Sequence, residues 1–334
     1  MSAFLYVLLF LFSLACTFAA AGFFARRLDR VGLRLGLPET LLGLLTALAA
    51  DAPELASAIA ALVTGAHGVG VGVVVGSNVF NLASMVGLTA LLCGSVRLHR
   101  EALALEAFVG VPVLLAAAAL VAGWLAPAAA IAIIALVLVP YVGVLVLGPR
   151  GVLRLPVARG TRAFLQRSFG ELHRRRGAEL PPAEKVLRPA LLLVPALAII
   201  VAGSTGMVEA ALHLADDWTV PRYLVGVVVL AVLTSLPNAF TALRLGLQGR
   251  GSALLSETLN SNTINLVAGI AIPALILTLG SFSGLVAFDL LWLIAMTALV
   301  VALLAREGGV GRPTGALLVV LYGVFLAVQV ATRT

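Results

Sequence analysis

Residues 49–59 read AADAPELASAI, from Ala49 to Ile59, inside the apolar run LLGLLTALAADAPELASAIAALV (41–63). Asp51, Pro53 and Glu54 stand together where the surrounding residues are Leu, Ala, Ile and Val. A charged side chain at a bilayer centre costs about 2.5–3.5 kcal/mol on insertion scales. Proline removes a backbone N–H and crowds the carbonyl four residues back. A chain that spends this much stability at one point of a membrane span marks that point as a site.

The rest of the chain establishes that the run is a span. Of 334 residues, 61% are hydrophobic and 11% charged, and mean hydropathy is +1.12. Soluble domains carry about 25% charged residues. A spanning helix needs roughly 20 apolar residues, and ten segments qualify: 2–25, 38–63, 69–94, 102–123, 127–148, 188–214, 220–246, 252–279, 284–304 and 313–332. The expected fold is therefore an all-α integral membrane protein, with residues 1–148 forming a first five-helix half and 188–334 a second. Between them lies a basic linker, 149–187, containing HRRRGAELPPAEK and one short amphipathic helix. Cys16 and Cys93 lie in apolar runs and imply neither a disulfide framework nor a metal site.

The first segment has no Lys or Arg before it, whereas Arg26 and Arg27 follow it. A signal peptide has the opposite order, so this segment is expected to be a helix of the bundle. Positive charge sets orientation. With the N-terminus outside, the loops left inside hold 20 of the 22 Lys and Arg; only Arg222 and Arg333 fall outside. The expectation is a bacterial or archaeal plasma-membrane protein with both termini outside and the basic linker in the cytoplasm. The formal charge of +7 then has a topological cause and implies no nucleic acid. The partners expected are the bilayer and inorganic cations.

Residues 46–82 align without a gap on 230–266, at a constant offset of 184. Identities include Pro53/Pro237, Gly65/Gly249, Ser77/Ser261, Asn78/Asn262 and Asn81/Asn265. Each repeat occupies the second and third segments of a five-segment half. Five is odd, so the halves cross the membrane in opposite senses. Inverted repeats are a transporter signature, with the substrate site near the midplane. Asp51 and Glu54 are three residues apart and share a helix face, as do their counterparts Ser235 and Asn238. Ser77 and Asn81, like Ser261 and Asn265, are four apart. Prolines expose carbonyls near Ala49 and Leu233, and bare carbonyls are tolerated in a membrane only where they line a cavity. Such oxygen-rich surroundings suit hard cations. Glu257, Ser261 and Asn265 also share one face, which makes Glu257 a third deep acid in reach of the site. Like charges at close range disfavour full ionisation, so protons compete with Na⁺ as coupling ions.

These residues resemble the sodium/calcium exchanger family, within the cation/Ca²⁺ antiporter superfamily. Its two repeats read like GTSLPE followed by GNxxGSNxFN. Here they are Ala49–Glu54 with GVVVGSNVFN (72–81), and LTSLPN (233–238) with SETLNSNTIN (256–265). The resemblance implies ten helices in two inverted repeats, alternating access, and no cofactor beyond the transported ions. Carried over by position, it implies cation ligands at Glu54, Ser77, Asn81, Thr234, Ser235, Asn238, Ser261 and Asn265. Backbone carbonyls around Ala47 and Ala231 would assist. The chain departs from the pattern at Asn238, where the family has a carboxylate. It departs also at Ala50 and Asp51, where hydroxyls are usual, at Glu257 where the motif has Asn, and at Asn260 where it has Gly.

The activity implied is export of Ca²⁺ in exchange for Na⁺ or H⁺. Alternatives in the same fold are exchange of another divalent or monovalent cation. A channel and an intramembrane enzyme using Asp51 and Glu54 as acid and base are further alternatives. A catalytic dyad gives no reason for two inverted polar sites. GVGVGVVVG (68–76) is expected to serve helix packing rather than to hold a nucleotide. Asn78 and Asn262 suit either ligation or interhelical hydrogen bonding. Glu106, Glu209 and Asp289 are expected at solvated interfaces, and His67, His99 and His213 at membrane edges.

Overall fold

The computed structural model describes residues 2–35, 39–97, 100–170, 190–277, 279 and 284–331. Its helices are α1 (Ala3–Arg34), α2 (Glu39–Ala50), α3 (Ala52–Val63) and α4 (His67–Cys93). Next come α5 (Arg100–Val121), α6 (Pro127–Val152) and α7 (Arg159–Gly170). The second half holds α8 (Leu193–Asp217), α9 (Arg222–Leu247), α10 (Gly251–Leu266), α11 (Gly284–Glu307) and α12 (Arg312–Ala331). The protein is an all-α membrane bundle. Eight described helices are long and apolar enough to cross a bilayer on their own.

The two remaining expected segments differ for identifiable reasons. The span at 38–63 is divided at Asp51 into two 12-residue helices, α2 and α3, with Pro53 in the first turn of α3. The span at 252–279 is α10, polar along its length, followed by a π-helical turn (Val267–Ala271) and a 3-10 turn (Pro273–Leu275). Of the linker, α7 supplies the amphipathic helix, while 171–189 lies outside the described residues.

Helix α4 forms the centre of the bundle. Its sequence VGVGVVVG is rich in β-branched valine, which in water favours strands. In lipid each backbone N–H and C=O needs an internal partner, so a lone segment becomes helix. Every residue from Val69 to Val79 is buried. Small residues let the neighbouring backbone close in. Gly76 abuts the Val227 backbone and Ala231, where an added Cβ would stand 2.8 Å from the alanine Cβ. Gly226 abuts Val69 on the same interface. Helices α1 and α8 pack along each other at the edge. A short antiparallel ribbon, Ser95–Arg97 with Gly309–Gly311, ties the two halves together; nothing in the sequence pattern announced it.

Candidate functional site

The structure brings the two repeats together at Asp51. Asp51, Ser77, Asn81, Thr234 and Ser235 are wholly buried; Glu54, Asn238, Ser261 and Asn265 are nearly so. They belong to four different helical segments, and the hydrogen bonds among them cross the repeat boundary. Asn238 donates its amide to Asp51 Oδ1 at 2.7 Å and to Glu54 Oε1 at 3.0 Å. Ser261 donates to Asp51 Oδ1 at 2.6 Å. Asn265 donates to Glu54 Oε2. Asn81 donates to Ser261 Oγ and to Asn262 Oδ1, both at 3.2 Å.

Two carboxylates are thus held by neutral donors. Each Asn spends its NH₂ group inward on the network and leaves its carbonyl oxygen over. Among the described residues, Asp51 Oδ2, Ser77 Oγ, Asn81 Oδ1, Ser235 Oγ, Asn238 Oδ1 and Asn265 Oδ1 are buried without a hydrogen-bond partner. Buried polar atoms are normally satisfied. Six orphaned oxygens, one of them on Asp51 itself, form a donor set that suits a hard cation.

The local chain explains this placement. The break at Asp51 still keeps the bonds Asp51 N–H to Ala47 O at 2.9 Å and Leu55 N–H to Asp51 O at 3.0 Å. Ala47 O therefore retains one lone pair, not a bare carbonyl. Pro237, by contrast, lies inside a helical stretch that continues from Ala231 to Leu247. The irregularity in this span comes earlier, as a π-helical turn over Val225–Leu230 that ends at Ala231. π-Helical turns also follow Asn81 (Leu82–Leu88) and Asn265 (Val267–Ala271). Such turns gather at functional sites, and these two are repeat mates. Ser57 Oγ donates to Pro53 O at 2.8 Å, and its repeat mate Thr241 Oγ1 to Pro237 O at 3.0 Å. These two hydroxyls were missed in the sequence, although their shared four-residue spacing from each proline was a usable signal.

Not every expected site residue joins the network. Thr234 turns its hydroxyl back to Leu230 O at 2.8 Å. Glu257 is partly exposed and forms no hydrogen bond to the other acids, though it is within electrostatic reach of Asp51 and of Arg250. Among the described residues no three carboxylates, thiolates or imidazoles come together. Asn78 and Asn262 bond one another's helices rather than the acids. The expectation of solvated interfaces fails for Glu106 and Asp289, which are buried. Asp289 accepts from Tyr223 at 2.6 Å and from Gln329.

The fold and this paired site are those of an inverted-repeat membrane transporter. The sequence profile of the sodium/calcium exchanger protein family matches residues 5–148 and 189–331, and the chain belongs to that family. Sodium/calcium exchanger MaX1 of Methanosarcina acetivorans is 38% identical over 86 residues, a quarter of each chain. Inner membrane protein YrbG of Escherichia coli is 26% identical over 300 residues, spanning 87% of this chain and 86% of that one. The structure of the sodium–calcium exchanger NCX_Mj, soaked in sodium without calcium, superposes with a TM-score of 0.60 at 19% identity, covering 98% of this chain and 99% of that one. That likeness establishes the fold. The family is one of transporters, not enzymes.

Proposed function

We propose that the protein is a secondary antiporter that exports Ca²⁺ in exchange for Na⁺ or H⁺ by alternating access. The observation that carries this reading is the set of six unpartnered oxygens at Asp51 and around Glu54. Two carboxylates balance the charge of one divalent ion. When that ion leaves, two buried negative charges remain in a low-dielectric interior, which is strongly unfavourable. Two monovalent cations, sodium ions or protons, restore neutrality. The site is therefore stable when filled by either cargo and unstable when empty, and this condition couples the two fluxes.

Glu54 and Asp51 hold the cation's charge. Asn81, Asn238, Asn265, Ser77 and Ser261 contribute neutral oxygens, with Ser235 and the Ala47 and Ala231 carbonyls at the margin. Membership of the exchanger family supports the reading, as does the name of MaX1. The plasma membrane, with the basic linker in the cytoplasm, is the proposed location.

The test is uptake of radioactive Ca²⁺ into proteoliposomes under an imposed Na⁺ gradient, then under a proton gradient. Gradient-driven uptake in either arm supports antiport and identifies the coupling ion. Downhill Ca²⁺ flux that ignores both gradients would mean a channel.

A further inference from the structure

A second polar cluster lies on another face of α10 from the one that bears Ser261 and Asn265. Glu106 on α5 is buried to 6% exposure. It accepts Ser256 Oγ at 2.6 Å and Asn260 Nδ2 at 3.4 Å. Tyr141 Oη stands 3.2 Å from Glu106 Oε1, 3.1 Å from Glu106 Oε2 and 3.1 Å from Asn260 Oδ1. Asn260 Nδ2 also donates to Ser256 Oγ at 3.2 Å.

Counting hydrogens in this cluster gives a deficit of one. Tyr141 has a single hydroxyl hydrogen and faces three acceptor oxygens. If it donates to an ionised Glu106, the contact with Asn260 Oδ1 has no hydrogen. If it donates to Asn260, its contact with Glu106 Oε2 has none. Turning the Asn260 amide over moves the shortage without removing it, because Asn260 Oδ1 then faces Glu106 Oε1. One hydrogen on Glu106 closes the network: Glu106 donates to Tyr141 Oη, and Tyr141 donates to Asn260 Oδ1.

At the offset of 184, Ser256 and Asn260 correspond to Gly72 and Gly76. The other half buries an acid of its own at Asp289 on α11, held by Tyr223 and by Gln329 of α12, but without the serine and asparagine that complete the cluster at Glu106. A cavity of about 20 Å³ joins Glu106 to Asn78 and Asn262, which is room for about one water molecule.

We propose that Glu106 is a proton-binding site outside the central cation site, holding an exchangeable hydrogen shared with Tyr141 and Asn260. The step is a plain acid dissociation: the Glu106 O–H bond breaks, the electron pair stays on the carboxylate, and the proton leaves to water. Loss of the proton forces Tyr141 to choose between Glu106 and Asn260. Asn260 is the residue before Ser261, which bonds Asp51. Proton release at Glu106 therefore reaches the cation site through adjacent residues of α10, Asn260 and Ser261.

Several ionisable groups on the packed elements are turned to other partners. From α6, among the described residues, the cluster's hydrogen bonds reach Tyr141. On α10, Glu257 follows Ser256 but lies within electrostatic reach of Asp51 and Arg250. On α7, Arg162 donates to Leu155 O and Arg167 pairs with Glu101, while Arg159 begins the helix. On α11, Asp289 is held by Tyr223 and Gln329.

Infrared spectra of the lipid-reconstituted protein test this directly. Subtracting the Glu106→Gln spectrum from that of the native chain should leave one protonated-carboxyl C=O band that shifts down in D₂O. Tyr141→Phe should keep the band and move its frequency, because one hydrogen-bond partner is gone. In transport assays, Glu106→Gln should lose one inflection of the pH profile and Tyr141→Phe should shift it, while exchange continues in both. No C=O band in the difference spectrum would show an ionised Glu106 and overturn the proposal. Should Glu106→Gln fail to fold, an unmoved spectrum in Tyr141→Phe would overturn it. The infrared result is independent of which cation is carried, so it is distinguishable from a failure of the antiport reading.

Discussion

Asn78 and Asn262, 184 residues apart in the chain, each donate the side-chain amide to the other's backbone carbonyl, both at 3.1 Å. The pair is its own image under the repeat, so the pseudo-twofold axis runs between them. This reciprocity settles their role as a clasp between α4 and α10, not as partners of the acids. It also places the two half-sites at a fixed spacing, since Asn81 and Asn265 lie one turn further along the same helices.

Removing half of the clasp is expected to take one interhelical donor from a carbonyl that otherwise has only its own helix. Asn78→Ala and Asn262→Ala should each lower thermal stability in detergent. Interhelical hydrogen bonds in membranes average about 0.6 kcal/mol and reach about 1.7 kcal/mol. Each bond ends on a backbone carbonyl that alanine retains, so the two losses should add in the double variant. A large coupling in a double-mutant cycle would mean that the two side chains act through each other and not through these carbonyls.

Glu54 accepts from Asn238 and from Asn265, residues of two different helices in the other repeat. Glu54→Gln preserves size and removes the charge. It should abolish Ca²⁺ transport, at least 100-fold, while insertion and the elution profile stay normal. The check is Ca²⁺ flux per unit of reconstituted protein. Normal flux would remove Glu54 from the cation site.

Charge counting at the site yields a further expectation. Among the described residues, Asp51 and Glu54 are the two carboxylates of the hydrogen-bonded network, because Asn238 and Asn265 are neutral. One Ca²⁺ should then exchange against two monovalent cations, with no net charge moved. Exchange rates should be the same when a K⁺ diffusion potential of either sign is imposed on the liposomes. A potential-dependent rate would require a third charge in the moving site.

Much of this was legible in the sequence, for a physical reason. Lipid forbids unsatisfied backbone and unpaired charge, so deviations such as Asp51, Pro53 and Asn81 stand out against an apolar background. The repeat supplied the pairing of the two half-sites without any contact information. Other features were hidden. Pro237 looked equivalent to Pro53, yet the irregularity of α9 falls at Val225–Leu230, where no single residue type announces a π-helical turn. Glu106 looked interfacial from its distance to a helix end. Only the packing of Tyr141, Ser256 and Asn260 around it, from helices far apart in sequence, shows that it is buried.

The distribution of Lys and Arg predicts which side each loop faces. In a cysteine-free background, a thiol placed at residue 170 should resist an impermeant reagent added from outside. One placed at Asp217, next to the exposed Asp216–Arg222 ion pair at 2.6 Å, should react. The reverse pattern would invert the orientation and leave the fold unchanged.

Glu257 separates two ways of building the site. On the helix face it follows Ser261 and Asn265 by spacing, which argues for a third carboxylate around the cation. In the fold it is partly exposed, near the start of α10, with Arg250 one residue before the helix. It bonds none of the residues that hold Asp51 and Glu54. An acid at this position, outside the hydrogen-bonded set, attracts cations toward the site. Glu257→Gln should therefore slow exchange by several-fold at low Ca²⁺ and low salt, with the effect fading as ionic strength screens the charge. Saturating affinity, measured by Ca²⁺ titration of the detergent-solubilised protein, should change by less than twofold. A large loss of affinity that persists at high salt would instead place Glu257 among the cation's direct ligands, and the two-charge balance of the site would have to be recounted with three.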